Sequence, residues 1–515
     1  MINTKATKDS LYNAAEDLIT RNIIAGRKDK VAFKDRNGDH TFEDVANGAA
    51  KFANIIRTMG IKAEMRLVLV MSDSVDFVIC FLGAIKAGVI PIPLNTRLTA
   101  KDYAYIISDS RATACVISEH LVDTVLKEIA EPGKIIIDGN SQKYTQLSKL
   151  LDEAETQNET APTRSDDVCF WLYTSGTTGA PKGVVHLHSH LIATAELYAI
   201  PFLNVTSADV VFSAAKLFFA YGLGNALTFP MAVGATSILL EGPPDPLSVN
   251  KLLSEERPTL FFGVPTLFAM LLASKTLPSK TEHEVRLCVS AGEPLPSDLL
   301  LRWRTRFETE ILDGLGTTEM LHIFVSNKVS GIIPGATGQV VPGYEVRLIN
   351  DDGEICKPNE IGVLEVSGPS SALMYWGQRA KTKDTFRGVW TRTGDTYSMA
   401  TDGIMTYSGR NDDMLKVGGI YVSPFEVEAV LIKHDAVLEA AVVGASDQDN
   451  LVKPKAFVVL NDDVFGTPEL EEELKAFVKS DLASYKYPRW IEFLTELPKT
   501  ATGKIQRFKL RNTAN

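Results

Sequence analysis

The chain has 515 residues, of which 45% are hydrophobic and 23% charged, and its net charge is -11 at pH 7. That length is too great for one core and implies two or three domains. The acidic balance excludes general nucleic-acid binding, which needs a basic surface, but not anionic substrates met by local basic clusters.

The N-terminal stretch MINTKATKDSLYNAAEDL lacks the apolar run of a secretory signal. The βα rhythm begins soon after it. RLVLVM (66–71) reads as a buried strand, SVDFVICFLGAIKAG as a helix closed by Gly88, and VIPIPL as extended chain. The apolar stretch FVICFLGAIKAGVIPIPL carries Lys86, two glycines and two prolines, so it is no membrane span. Thr99 can cap the next helix, and ATACVIS and KIIIDG are further strands. This alternation predicts an α/β fold with a largely parallel sheet covered by helices.

The strand VCFWLY (168–173) leads into YTSGTTGAPKGVVH, which has three glycines, a run of hydroxyls and one lysine. That is the chemistry of a phosphate cradle, though not the P-loop pattern, since Gly183 follows Lys182 where Ser or Thr would stand. The following VVHLHSHLIATAELYAI reads as a helix, giving a strand–loop–helix unit able to converge backbone N–H groups on an anion. His186 and His190 are one helical turn apart, but no acidic third ligand stands near them for zinc.

The rhythm runs on through LFFGVPTLFAMLL and VRLCVSAGEPLP. After Gly331 it gives way to short strands and turns, predicting a small β subdomain over about 331–411. A second boundary falls near GRNDDMLKVGG (409–419), so the predicted domains are 1–411 and 412–515, the latter a mobile α+β unit. From Lys479 onward there are eight Lys/Arg against three Asp/Glu, a basic edge on an acidic protein. Cys80, Cys115, Cys169, Cys288 and Cys356 form an odd set without a C-x-x-C pair, so neither zinc knuckle nor disulfide framework is expected. Cys80, Cys169 and Cys288 lie in apolar runs and should be core residues, and the cytoplasm is the expected location.

Five separated stretches agree in order: YTSGTTGAPKG, DGLGTTEM (313–320), WTRTGD (390–395), GRNDDMLKVGG and PKTATGK (498–504). Together they resemble the acyl-adenylate-forming superfamily of CoA ligases, luciferases and peptide-synthetase adenylation domains. SAAKLFFAYGLGN (213–225), DGLGTTEMLHIF, MLKVGGIYVSPFEVE and YKYPRWIEFLTELPKTATGKIQRFKLR further resemble the benzoate–CoA ligases and their aryl-acid relatives. Leu315 stands where the wider superfamily usually has an aromatic residue, so adenine stacking is not expected there.

The resemblance implies ATP, Mg²⁺ and coenzyme A. A carboxylate attacks the α-phosphate, pyrophosphate leaves, and a thiolate then displaces AMP. Both nucleophiles come from substrates, so catalysis is mostly positioning and electrostatics. By resemblance, Thr174, Ser175, Gly176, Thr177, Thr178, Gly179 and Lys182 hold the β- and γ-phosphates. Ala291, Gly292, Glu293 and Pro294, with Asp313, Gly314, Leu315 and Gly316, line the adenine side. Thr317 and Thr318 meet the α-phosphate and Glu319 holds the metal. Asp395 and Arg410 take the ribose, and Lys504 is the catalytic charge of the adenylation step. Asp412 matches a hinge, Gly418 and Gly419 a pantetheine tunnel, and Lys486 (with Lys416) a CoA phosphate contact. Ala220, Tyr221, Gly316, His322 and Ile323 line the acid pocket, with Phe218 and Val264 nearby. The implied partners are small molecules, with no nucleic acid and no membrane, in a monomer or homodimer. A medium-chain or alicyclic acyl-CoA ligase, a stand-alone domain loading a carrier protein, and a non-catalytic nucleotide sensor are the alternatives.

Overall fold

The computed structural model describes residues 10–129, 133–157, 159–176, 179–411, 413–417, 420–448, 451–483, 485–499 and 505–514. The first sheet is the parallel one the sequence predicts. Its strands run in the order Ile90–Pro93, Arg66–Val70, Ala114–Ser118, Lys134–Asp138, Thr145–Gln146. The helix Val75–Lys86 packs beside it with every side chain but Asp76 buried. Burying each of its large apolar side chains contributes about 1.5–3 kcal/mol. Ser74 caps its first turn, and Gly88 ends it at φ +76°, where only glycine is comfortable. Thr99 and Asp102 form a reciprocal capping box on the next helix, Ala100–Ser110.

A second, nine-stranded sheet holds the strands Val210–Ser213, Leu260–Gly263, Leu287–Ala291 and Ile311–Gly316 side by side and parallel. These are continuous apolar runs because both faces are covered. Val31–Asp35, from the N-terminal region, joins this sheet rather than the first, pairing with Thr236–Ile238. Cys80 and Cys169, Cys288, and Cys115 are buried in three separate apolar clusters, as core residues.

The β subdomain is antiparallel, built on Glu345–Ile349, Ile361–Ser367, Trp390–Met399 and Met405–Arg410. It is not closed on itself. Its segment Met374–Tyr375 leaves to pair with the Gly179–Leu187 strand of the large domain.

The C-terminal unit stacks the helices Pro424–Leu431, Pro468–Asp481 and Arg507–Ala514 around the strands Val437–Ser446, Val452–Leu460 and Trp490–Phe493. It meets the larger part through one aromatic seat. The Phe425 ring stands edge-on to Tyr407, centroids 4.9 Å apart, and within the C-terminal unit the Arg507 guanidinium lies 4.2 Å from the centroid of the Phe425 ring. Arg507 is itself paired with buried Glu428 at 2.8 Å.

One expectation fails. Gly179–Leu187 is a strand, antiparallel to Val168–Gly176, and the helix begins only at His188. The glycine-rich segment is therefore the tip of a β-hairpin and not a helix N-terminus. Val184 and Val185 are fully buried, and β-branched side chains favour the pleated ribbon over a helical turn there.

Candidate active site

The hairpin base is clamped. Trp171 packs on Trp376 with ring centroids 4.6 Å apart, and Arg66 lies over both rings. The Tyr173 hydroxyl donates to Asp109 at 2.6 Å, and Trp376 Nε1 donates to the Asp109 carbonyl at 2.9 Å. Beyond the clamp, Thr174 stands opposite Lys182, and Gly176 opposite Gly179. Thr177 and Thr178 lie outside the described residues, as do the side chains of Ser175, Gly176 and Gly179. Lys182 is half-buried, its Nζ 4.7 Å from the centroid of the Tyr375 ring. Burial lowers its ammonium pKa, and Glu319 opposes that shift.

Ala291 and Gly314 are register partners at the carboxyl ends of two parallel strands, so the predicted adenine segments lie side by side. Strand ends of this kind are where open α/β sheets bind ligands. Gly292 turns the chain away at φ +91°, before Glu293 and Pro294. Asp313 is buried, and burial pushes its carboxyl up to about 8 against hydrogen bonds from Leu295, Gly314 and Thr337. Its Oδ1 has no hydrogen-bond partner in the protein.

The chain then folds back sharply. Met320 N donates to the Thr317 carbonyl and Leu321 N to that of Thr318, both at 3.2 Å, so Thr-Thr-Glu makes a turn rather than a helix start. Leu321 takes φ +65°, costly for a bulky side chain and typical of a functional site. The returning strand Ile323–Ser326 passes so close that a Cβ on Gly316 would lie 2.6 Å from the His322 carbonyl oxygen. The Glu319 carboxylate accepts from the Tyr375 hydroxyl at 2.7 Å. Two of the three histidines of HLHSH, His186 and His190, also serve this turn. His186 Nε2 meets the Thr318 carbonyl at 2.9 Å and His186 Nδ1 meets His190 Nδ1 at 3.1 Å, so they form a buried pair.

Asp395 and Arg410 face each other across two antiparallel strands, with Arg410 Nη1 donating to Asp395 Oδ1 at 3.2 Å. Gly394, at φ +78°, leaves room for the guanidinium, which a Cβ would approach to 3.0 Å.

Of the acid-pocket residues, Tyr221 and His322 are brought together with centroids 5.6 Å apart, and Gly316 and Ile323 flank His322 in the same fold-back. Ala220 precedes Tyr221 on the short helix Ala220–Leu223. Phe229 and Tyr198, neither of them predicted, complete an aromatic box around His322 at 4.5 and 5.7 Å. His322 Nε2 lies 3.0 Å from Asn225 Oδ1, a hydrogen bond in which the imidazole donates when Nε2 is the protonated nitrogen. Burial lowers this imidazole to about 3 and keeps it neutral. Phe218 stacks edge-on against Phe219, and Val264 packs into the neighbouring apolar cluster.

Lys504, Asp412, Gly418 and Gly419 lie outside the described residues, as does the side chain of Lys416. Lys486 binds Glu426 through both carboxylate oxygens, at 2.6 and 2.7 Å. Besides Tyr198 and Phe229, sequence reasoning missed Tyr375 and Asn225. Asn225 stands in the quoted SAAKLFFAYGLGN, where only the π-helical turn over Gly224–Thr228 marks it, and Tyr375 lies in no motif.

A family model described as "AMP-binding enzyme" matches residues 20–376, and one for the "AMP-binding enzyme C-terminal domain" matches residues 426–504. The chain belongs to the AMP-binding enzyme family. It is 52% identical to a benzoate–CoA ligase of Thauera aromatica over 97% of this chain and 96% of that protein. It is 46% identical to a 4-hydroxybenzoate–CoA/benzoate–CoA ligase of Rhodopseudomonas palustris, over 97% and 94% respectively. The crystal structure of a benzoate CoA ligase from Burkholderia xenovorans LB400 superposes with a TM-score of 0.92 at 48% identity, covering 97% of this chain and all of that one. An anthranilate CoA ligase in complex with anthranoyl-AMP gives 0.93 at 39% identity, over 98% of both chains. This AMP-binding enzyme therefore falls in the aryl-acid branch and is an AMP-forming acid–thiol ligase, with ATP and coenzyme A as co-substrates. Among its described residues no helix is long and apolar enough to cross a membrane.

Proposed function

We propose that this AMP-binding enzyme activates benzoate, or a benzoate with a small ring substituent, and passes it to coenzyme A. The observation that carries this reading is the box of Tyr198, Tyr221 and Phe229 around a neutral His322. An aryl ring gains from such edges and faces, and an uncharged imidazole adds no ion pair that a flat apolar acid could not answer. The benzoate-acting relatives support it.

In this reading the hairpin tip and Lys182 hold the β- and γ-phosphates that leave. Asp395 and Arg410 hold the ribose, and the segments meeting at Ala291 and Gly314 hold the adenine. Glu319 would hold Mg²⁺. Its carboxylate suits a hard cation, and no group of three or more His, Cys, Asp or Glu able to bind one alone occurs among the described residues, so phosphate oxygens would supply other ligands. When bound, Mg²⁺ supplies charge against the phosphate oxygens. Lys504 neutralises charge developing at the α-phosphate. Its domain, beginning at Asp412, then rotates to bring Gly418 and Gly419 to the acyl-AMP for thiol entry. The enzyme works in the cytoplasm as a monomer or homodimer.

The test is AMP release from ATP with a panel of aryl and alkyl acids, with and without coenzyme A. We expect benzoates to be preferred and turnover to need CoA. Preference for alkyl acids, or acyl-AMP formation without CoA-dependent turnover, refutes the reading.

A further inference from the structure

The two charged groups assigned to the triphosphate, Glu319 and Lys182, share one neighbour. Tyr375 is buried, and its hydroxyl donates to Glu319 Oε1 at 2.7 Å while the face of its ring lies 4.7 Å from Lys182 Nζ. The segment around it ties both halves of the site together by backbone. Ala372 N donates to the Glu319 carbonyl at 2.7 Å, Leu373 N to Val185 at 2.9 Å, and Trp376 N to Gly183 at 2.8 Å.

A half-buried ammonium beside a carboxylate would ordinarily close into an ion pair. Here Glu319 instead meets the Tyr375 hydroxyl, and Lys182 the face of its ring. Tyr375 gives each a partner without neutralising either: a hydroxyl for the anion and a π face for the cation.

We propose that Tyr375 is a positioning residue that holds Glu319 and Lys182 apart and aimed, so that both charges stay available to the metal–nucleotide. This rests on the reading of Glu319 and Lys182 given above. It predicts a split that a purely structural tyrosine would not show. Tyr375→Phe keeps the ring under Lys182 and deletes only the bond to Glu319. Tyr375→Leu removes both and lets the two charges close on each other.

The experiment is calorimetric titration of the full chain and both variants with ATP in excess Mg²⁺ and with ATP in EDTA, with thermal melting as the check on folding. Loss of a hydrogen bond to a charged group corresponds to about a tenfold change in affinity. Tyr375→Phe should weaken binding with Mg²⁺ about tenfold and leave metal-free binding within about twofold. Tyr375→Leu should weaken both. If Tyr375→Phe matches the wild type in both titrations, or loses equally in both, the proposal is overturned. If Tyr375→Leu does not fold, the near-isosteric phenylalanine variant decides alone. No acid is present in these titrations, so a failure of the benzoate assignment shows separately, in the acid panel. A wild-type chain that binds no ATP overturns both readings.

Discussion

Asp313 keeps a carboxyl in the core within the strand Ile311–Gly316, with one oxygen left without a protein partner. Burial raises its folded pKa to about 8, far above the ordinary carboxylate range, so the folded protein holds a proton that the unfolded chain has lost. That contribution is fully present below the unfolded value and disappears as pH rises toward 8. Relative to Asp313→Asn, the wild type should lose on the order of 1 kcal/mol of stability per pH unit from about pH 5 to 7, with the slope flattening toward pH 8. Urea midpoints of both proteins across that range check it, and parallel curves would refute it. His322 has the opposite sign. Its value of about 3 lies below the ordinary imidazole range, so it costs stability only as pH falls below about 6.5. It is neutral at neutral pH, and activity between pH 7 and 9 should show no inflection belonging to it.

At the scale of elements, two short pieces of irregular backbone shape the pocket. The π-helical turn Gly224–Thr228 brings Asn225 to His322, and π-turns often mark functional sites. A Cβ on Gly224 would lie 2.3 Å from His322 Cδ2. Gly224→Ala should therefore push the imidazole out of its box at an overpacking cost of about 1–3 kcal/mol. We expect KM for the acid to rise at least about tenfold while ATP affinity holds. Unchanged acid KM would show that the box does not contact the acid. The helices and parallel strands of the large domain are legible because apolar periodicity and capping residues such as Thr99 are local signals. The hairpin is not, because VVHLHSHLIATAELYAI carries helical spacing throughout, and only burial of Val184 and Val185 on a ribbon decides its first half. The pair Asp395–Arg410 is readable through motifs, and the antiparallel register explains it. Tyr375 is unreadable because its partner Glu319 is 56 residues away and no spacing joins them.

For the whole molecule, the small domain's aromatic seat is narrow. An edge-on ring pair is worth about 0.5–1.5 kcal/mol, a gap that substrates can override. Phe425→Ala should loosen the seat, and proteolysis within residues 410–420 should run about tenfold faster. Unaltered cleavage would mean that other contacts hold the domain. Lys504→Ala should lower benzoate-dependent adenylation at least about a hundredfold, in line with loss of one preformed charge-stabilising group. Transfer from preformed benzoyl-AMP to CoA should survive. Equal loss in both steps would argue against rotation between two working positions.

The strand Met374–Tyr375 has a second consequence, for solubility. A two-stranded ribbon with apolar Val184 and Val185 on its flank presents an open row of backbone donors and acceptors, a template for pairing with another chain. Leu373, Met374, Tyr375 and Trp376 close that row along Gly183–Val185. A nascent chain that has made the hairpin but not yet residue 376 exposes it. In the interval of synthesis between them, pairing of that edge with another chain should compete with folding.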